Sequence, residues 1–352
     1  MSVLRGIGAA TPDFCVDQRR AAEIAAGLMG ADDRRRRSLG VLYQQTGVER
    51  RQSAVEESGP AALFAGVSSD GPGTDARMRR YREAAPGLAE RACREALHEA
   101  GVEAAAITHL VVVSCTGFHA PGVDAELVTR LGLPAGVQRT VVGFMGCHGA
   151  INGLRVASAF ASADPNAEVL LCCVEICSVH FQYKPADGAV TANALFGDGA
   201  AACIVSARGD GPRLSAFGAR MFPDSGGEMG WRVGDHGFVM SLSARVPVLL
   251  REGVAAWMDA WLGGLGRSRD GVGSWAIHPG GPRIVEAVRA SLGLGPDATE
   301  DALAVLRAHG NMSSPTILFI LRRMLARGAA GPIVGLAFGP GLAGEAVLID
   351  PA

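Results

Sequence analysis

The chain alternates short apolar runs with longer segments whose apolar positions recur at helical spacing. Val3–Ile7 reads as a strand that ends at Ala-Thr-Pro, and residues 17–29 as a helix. Residues 53–74, rich in Ser, Gly and Pro, read as a loop. Pro86 opens a helix that runs to about Ala100, where Gly101 stops it. Strand His109–Ser114, helix 123–131 and strand Thr140–Val142 follow. A helix from Ala150 carries Ala150, Leu154, Ala157 and Phe160 near one face. Strands Val169–Glu175 and Ala200–Ser206 close the series. The order β-α-β-α-β-α-β-β predicts an α/β fold, a sheet covered by helices.

Residues 207–213 (ARGDGPR) break the pattern, and a second half then repeats the plan. Leu214–Ala219 is strand-like. Residues 245–263 form a long helix with Leu250, Val254, Trp257 and Trp261 on one face, a stripe best read as core. Ser274–Ile277 is a strand, helices follow near 282–292, 299–308 and Ser314–Arg327, and Ile333–Phe338 and Glu345–Ile349 are the last strands. The expected organisation is 1–207 and 208–352, two halves of similar plan without a residue-level repeat.

Composition narrows the function classes. The 352 residues are 48% hydrophobic with a net charge of -2, so no basic nucleic-acid footprint is present. No apolar run reaches membrane-spanning length, and MSVLRGIGAATPDF has no long apolar core of a secretory signal. Eight cysteines without a CxxC pair indicate a reduced, cytoplasmic setting and no cysteine metal site. Lys184 is the only lysine, so phosphate contacts fall to arginine; Arg34–Arg37, Arg50 and Arg51 are the candidates.

Candidate chemistry centres on RTVVGFMGCHGAINGLRVASAFAS at 139–162. Gly143, Gly146 and Gly149 allow a tight turn that sets Cys147 at a helix start, where free backbone N–H groups and the helix dipole favour a thiolate. The same position also suits a small buried hydrophobe. His278, in AIHPGG, ends an apolar strand, where ligands bind in open α/β sheets. Asn311, in HGNMSSPT, precedes a helix. Singly, such a His is structural and such an Asn is a cap. Together with Cys147 they describe a nucleophile with two oxyanion donors.

The stretches SCTGFHAPGVDAEL (114–127), VGFMGCHGAINGLRVA (142–157), ANALFGDGAAA (192–202), IHPGGPRIV (277–285), GNMSSPT (310–316) and FGPGLAGE (338–345) resemble, in order and spacing, the type III polyketide synthases of the thiolase superfamily. That resemblance implies the thiolase fold, two duplicated βαβαβαββ halves in a layered αβαβα arrangement. It implies an acyltransferase in which Cys147 carries the acyl group and His278 and Asn311 stabilise the malonyl-derived enolate. The substrates are then CoA thioesters, an acyl-CoA starter and malonyl-CoA, with no cofactor and no metal, in a homodimer. Phe196 matches a gatekeeper between CoA tunnel and cavity, and Gly339, Pro340 and Gly341 match the cavity-floor loop. Ser313 is retained.

Departures from the plant enzymes fall at Met240 in place of a second gatekeeper Phe, Trp231 in place of a cavity glycine, and Cys115, Cys177 and His180 in place of threonines. The plant enzymes' CoA-binding basic positions are not matched, because that helix reads SLGVLYQQTG. The wording is most similar to bacterial alkylpyrone and alkylresorcinol synthases, which implies a fatty acyl starter. The alternatives are a ketoacyl-ACP synthase III, which condenses once with malonyl-ACP, and a non-catalytic partner of the same fold.

Overall fold

The computed structural model describes residues 2–57, 62–64, 70–185 and 189–352; part of the expected 53–74 loop lies outside these. The first half contains strands β1 Ser2–Ala10, β2 Cys15–Asp17 and β3 Arg50–Gln52, with helices α1 Gln18–Leu28, α2 Asp33–Gln45 and α3 Thr74–Ala100. It continues through β4 His109–Ser114, α4 Val123–Leu131, β5 Gln138–Gly143, α5 Gly149–Ala163, β6 Glu168–Glu175, α6 Ala189–Leu195 and β7 Gly199–Ser206. The second half runs β8 Arg213–Met221, β9 Met229–Gly234, β10 Gly237–Leu242, α7 Val246–Gly264, β11 Ser274–Ile277 and α8 Pro282–Leu292. It ends with α9 Glu300–His309, α10 Thr316–Ala326, β12 Ile333–Gly339 and β13 Ala343–Asp350.

Among the described residues, nine strands pair in the order β11-β12-β13-β8-β1-β7-β6-β4-β5. Within the sheet the two halves meet where β1 pairs with β8, at Ser2 with Leu214 and Val3 with Arg213. The duplication is topological. In each half the first strand pairs antiparallel with the last (β1 with β7, β8 with β13). That last strand pairs antiparallel with β6 or β12, which in turn pairs parallel with β4 or β11.

Side-chain alternation along these strands generates the layers. Val111 and Val113 of β4 face a core with α5 and α10, to which Ala337 of β12 and Val347 of β13 also contribute. Leu110 and Val112 face α3 and α4 instead. Val334, Leu336, Ala346 and Leu348 face α7 and α8. Two buried helices thus lie between two halves of sheet, with helices outside: the layered αβαβα arrangement of the thiolase fold.

One expectation is overturned. The helix expected to open at Pro86 begins twelve residues earlier, and Pro86 sits inside α3. An internal proline removes one hydrogen bond and costs about 3 kcal/mol. The helix continues because Ala85, Leu88, Ala89, Ala92 and Ala96 bury one face of it against the sheet.

Candidate active site

Cys147 lies in a single helical turn, Gly146–His148, between β5 and α5. Gly146 adopts φ +70°, and a Cβ there would stand 2.6 Å from Pro340 Cδ, so only glycine fits the turn. Cys147 is 7% exposed and α5 is buried behind it. His278 follows β11, its backbone N–H donating to Leu336 O at 2.8 Å. Its ring is buried, and neither nitrogen has a hydrogen-bond partner among the described residues. Asn311 is joined to Phe196 by an isolated parallel bridge, which ties the segment between α9 and α10 to the residue after α6. Asn311 Oδ1 accepts from Ser313 N at 2.8 Å, which turns Nδ2 to Cys147 Sγ at 3.9 Å. Cys147, His278, Asn311, Phe196 and Met240 line one small cleft.

The electrostatics correct the expectation of a favoured thiolate. Burial pushes the Cys147 thiol up to about 11, although hydrogen bonds with Ser313 and Asn311 pull it part of the way back. Burial, and secondarily His148, push His278 down to about 3. Desolvation outweighs the helix terminus here, and the resting pair is a thiol beside a neutral imidazole.

A larger cavity of about 470 Å³ opens from Cys147. Cys115, Cys177, His180, Phe196, Trp231, Met240, Ser313 and Pro340 line it; Gly339 and Gly341 do not. Gly339 instead packs on His148, and Gly341, at φ +115°, turns the loop beside Met221. Trp231 and Met240 are cross-strand partners in the β9–β10 hairpin. Trp231 Nε1 donates to Cys115 O at 2.7 Å, which docks that hairpin over the site. His180 is fully committed: Nδ1 accepts from Phe238 N at 2.9 Å, and Nε2 lies 2.6 Å from Thr116 O, so it is the donor there. Burial holds it neutral, at about 3. Its ring stacks on Phe238 at 4.2 Å, an apolar wall rather than a base. Cys115 Sγ stands 3.3 Å from Ser313 Oγ, and Ser313 takes the left-handed φ of +59°.

The profile "Chalcone and stilbene synthases, N-terminal domain" matches residues 1–209, and "Chalcone and stilbene synthases, C-terminal domain" matches 214–351. The chain belongs to the chalcone and stilbene synthase family. It is a type III polyketide synthase, an acyltransferase. The synthase is 32% identical to "Alpha-pyrone synthesis polyketide synthase-like Pks18" of Mycobacterium tuberculosis strain H37Rv, over 99% of this chain and 91% of that one. It is 34% identical to "1,3,6,8-tetrahydroxynaphthalene synthase" of Streptomyces peucetius, over 97% and 90%. Its fold matches the crystal structure of PKS-I from the brown alga Ectocarpus siliculosus with TM-score 0.94 and 30% identity, covering 100% and 98% of the two chains. These relatives do not favour the ketoacyl-ACP synthase alternative.

The basic candidates divide. In the synthase, Arg34–Arg37 are exposed along α2 and Arg50 is exposed on β3. Arg51 is buried, and its guanidinium donates to Asn193 O and Phe196 O, so it braces the wall. Sequence reasoning missed three features of the synthase. Glu175 is fully buried and accepts from Cys115 N, Thr116 N, Thr116 Oγ1 and Ser314 Oγ; an acid ending the apolar run VLLCCVE was its signal. Phe238 backs His180. Helix α1 lines the far cavity with Arg20, Ala21, Ile24, Ala25 and Leu28, residues indistinguishable in sequence from an ordinary core face.

Proposed function

We propose that the synthase loads a fatty acyl-CoA starter on Cys147, extends it with malonyl-CoA and cyclises the product to an alkylpyrone or alkylresorcinol. The observation that carries this reading is the continuity of one cavity from Cys147 along α1. From Arg20 to Leu28 the lining face is about 12 Å long at 1.5 Å per residue. Its small side chains, Ala21 and Ala25, leave a groove for a narrow apolar chain.

Each residue type suits its step. His278 takes the Cys147 proton as the thiol attacks the starter thioester and CoA leaves. Malonyl-CoA then loses CO2, and the enolate oxygen accepts hydrogen bonds from His278 Nε2–H and Asn311 Nδ2–H. The enolate carbon attacks the Cys147 thioester; the sulfur leaves and takes its proton back from His278, and the chain, two carbons longer, remains on CoA. The steps need no metal and no redox cofactor. Burial of Cys147 and His278 limits water that would quench thioester or enolate. Phe196 and Met240 are the gates beside the nucleophile, and the arginines of α2 with Arg50 the candidates for CoA phosphates.

A homodimer and a cytoplasmic setting complete the reading. Strand β5 pairs on one side only, with β4, and shows Val141 59% exposed; Phe118 (58%) and Phe144 (40%) stand close by in ring contact. An unpaired edge beside exposed aromatic rings suits burial against a second copy. No helix among the described residues is long and apolar enough to cross a membrane.

The test is intact-mass analysis after incubation with an acyl-CoA, followed by peptide mapping. One acyl group on Cys147 is expected. An acyl group on Cys115 or Cys177, which line the same cavity, contradicts the assignment.

A further inference from the structure

His148 follows the nucleophile and is 2% exposed. Its ring begins a polar chain along one stripe of α5, buried as far as Glu345 and half-buried at Arg155. His148 Nδ1 lies 2.8 Å from Asn152 Oδ1, and Asn152 Nδ2 donates to Glu345 Oε1 at 2.9 Å. Glu345 Oε2 is paired with Arg155 Nη2. Positions 148, 152 and 155 share a helix face, and Glu345 meets them from β13. Donor logic sets every direction. The Arg155-paired carboxylate only accepts, so Asn152 turns its nitrogen to Glu345 and its oxygen to His148. His148 therefore donates from Nδ1, and its neutral ring keeps a lone pair on Nε2.

The opposite edge of the ring fills the space a side chain at Gly339 would need. A Cβ there would lie 2.5 Å from His148 Cδ2 and 2.9 Å from Nε2. One residue before Cys147, Gly146 makes the matching contact with Pro340. The nucleophile turn and the cavity loop are thus interlocked through His148. The charged and titratable groups around it are Glu345 from β13, Arg155 from its own helix, His278 from the loop after β11, and Cys147 itself.

We propose that His148 is a positioning residue: the Arg155–Glu345–Asn152 chain holds its imidazole as a wedge between the nucleophile turn and the Gly339-Pro340-Gly341 loop, and so sets the attack geometry of Cys147. The inference rests on the roles given above to Cys147 and His278. Burial keeps His148 neutral near pH 7. Cutting the chain or replacing the ring lets the turn that carries Cys147 shift against the cavity loop.

The test measures starter-loading rates by intact mass, with steady-state kinetics, in wild type, His148→Gln, His148→Phe and Asn152→Leu. Gln keeps a donor towards Asn152, so the reading survives if the Phe variant fails to fold. Asn152→Leu, which cuts the chain but leaves the ring, is expected to lower kcat roughly tenfold or more with starter KM unchanged. His148→Phe is expected to lose as much, and His148→Gln to recover part of that loss. An unchanged kcat in Asn152→Leu overturns the inference, as does full rescue by Phe, which shows that the ring only fills space. Cys147→Ala separates the two readings. If it still forms product, the nucleophile assignment fails; if it is inactive while Asn152→Leu keeps full kcat, only the role of His148 fails.

Discussion

Ala25 lies midway along the α1 face that lines the cavity, between Ala21 and Leu28, and is 1% exposed. Ala25→Phe fills the groove at that point and leaves about half of its 12 Å length usable. An extended hydrocarbon advances roughly 1.25 Å per methylene from ordinary bond geometry, so about five methylenes lose their place. At about 0.8 kcal/mol per buried methylene that is roughly 4 kcal/mol, or on the order of 10³ in kcat/KM for starters long enough to reach the block. Overpacking costs about 1–3 kcal/mol of stability, which a melt recorded alongside would register. The assay is kcat/KM for acyl-CoAs from acetyl to palmitoyl in both proteins. A profile truncated at long chains, with the shortest starters untouched, is the expected result. An equal loss at every length, or an unchanged profile, refutes the placement of the acyl chain along α1.

Met240→Phe puts a rigid ring opposite Trp231 and should shift preference to shorter starters in the same panel; unchanged preference counts against Met240 as a gate. Trp231→Phe removes the donor to Cys115 O and should lower stability by about 1–2 kcal/mol in denaturant melts, with an unchanged midpoint as the opposing result. The buried rings of His180 (about 3) and His278 (about 3) and the half-buried ring of His309 (about 4) titrate far below the unfolded value of 6.5. The unfolded chain binds those protons first, so their contribution is complete above about pH 6.5 and is lost as pH falls towards 4. Thermal melts from pH 7.5 to 4.5 should show a falling midpoint; a flat curve contradicts the neutral buried assignment.

What the sequence made legible follows from where chemistry sits in this fold. Cys147, His278 and Asn311 each stand beside the end of a regular element, so an apolar run stopping at a reactive residue was visible without a structure. The alternation of strands and helices was likewise visible, because their periods differ; the five layers were implied only by the family resemblance. Other features were hidden by long-range contacts. Pro86 reads as a helix start because propensity is local, whereas the face that carries α3 past it is paid for by the sheet. The β9–β10 hairpin gave no clear signal around its Gly234–Gly237 turn, yet it delivers Trp231 and Met240 together. Burial also reversed a local rule at Cys147, whose helix-start position argues for a thiolate while its desolvation keeps the proton on sulfur.

The central claim is repeated extension of a long acyl chain from Cys147. Product mass spectrometry of purified protein tests it directly, with malonyl-CoA and the starter panel, no carrier protein, and Cys147→Ala beside wild type. The account predicts products carrying two or more added ketide units from long acyl starters in wild type and none in the variant. Products that form only with malonyl-ACP and carry a single added unit, or products that persist in Cys147→Ala, would contradict it.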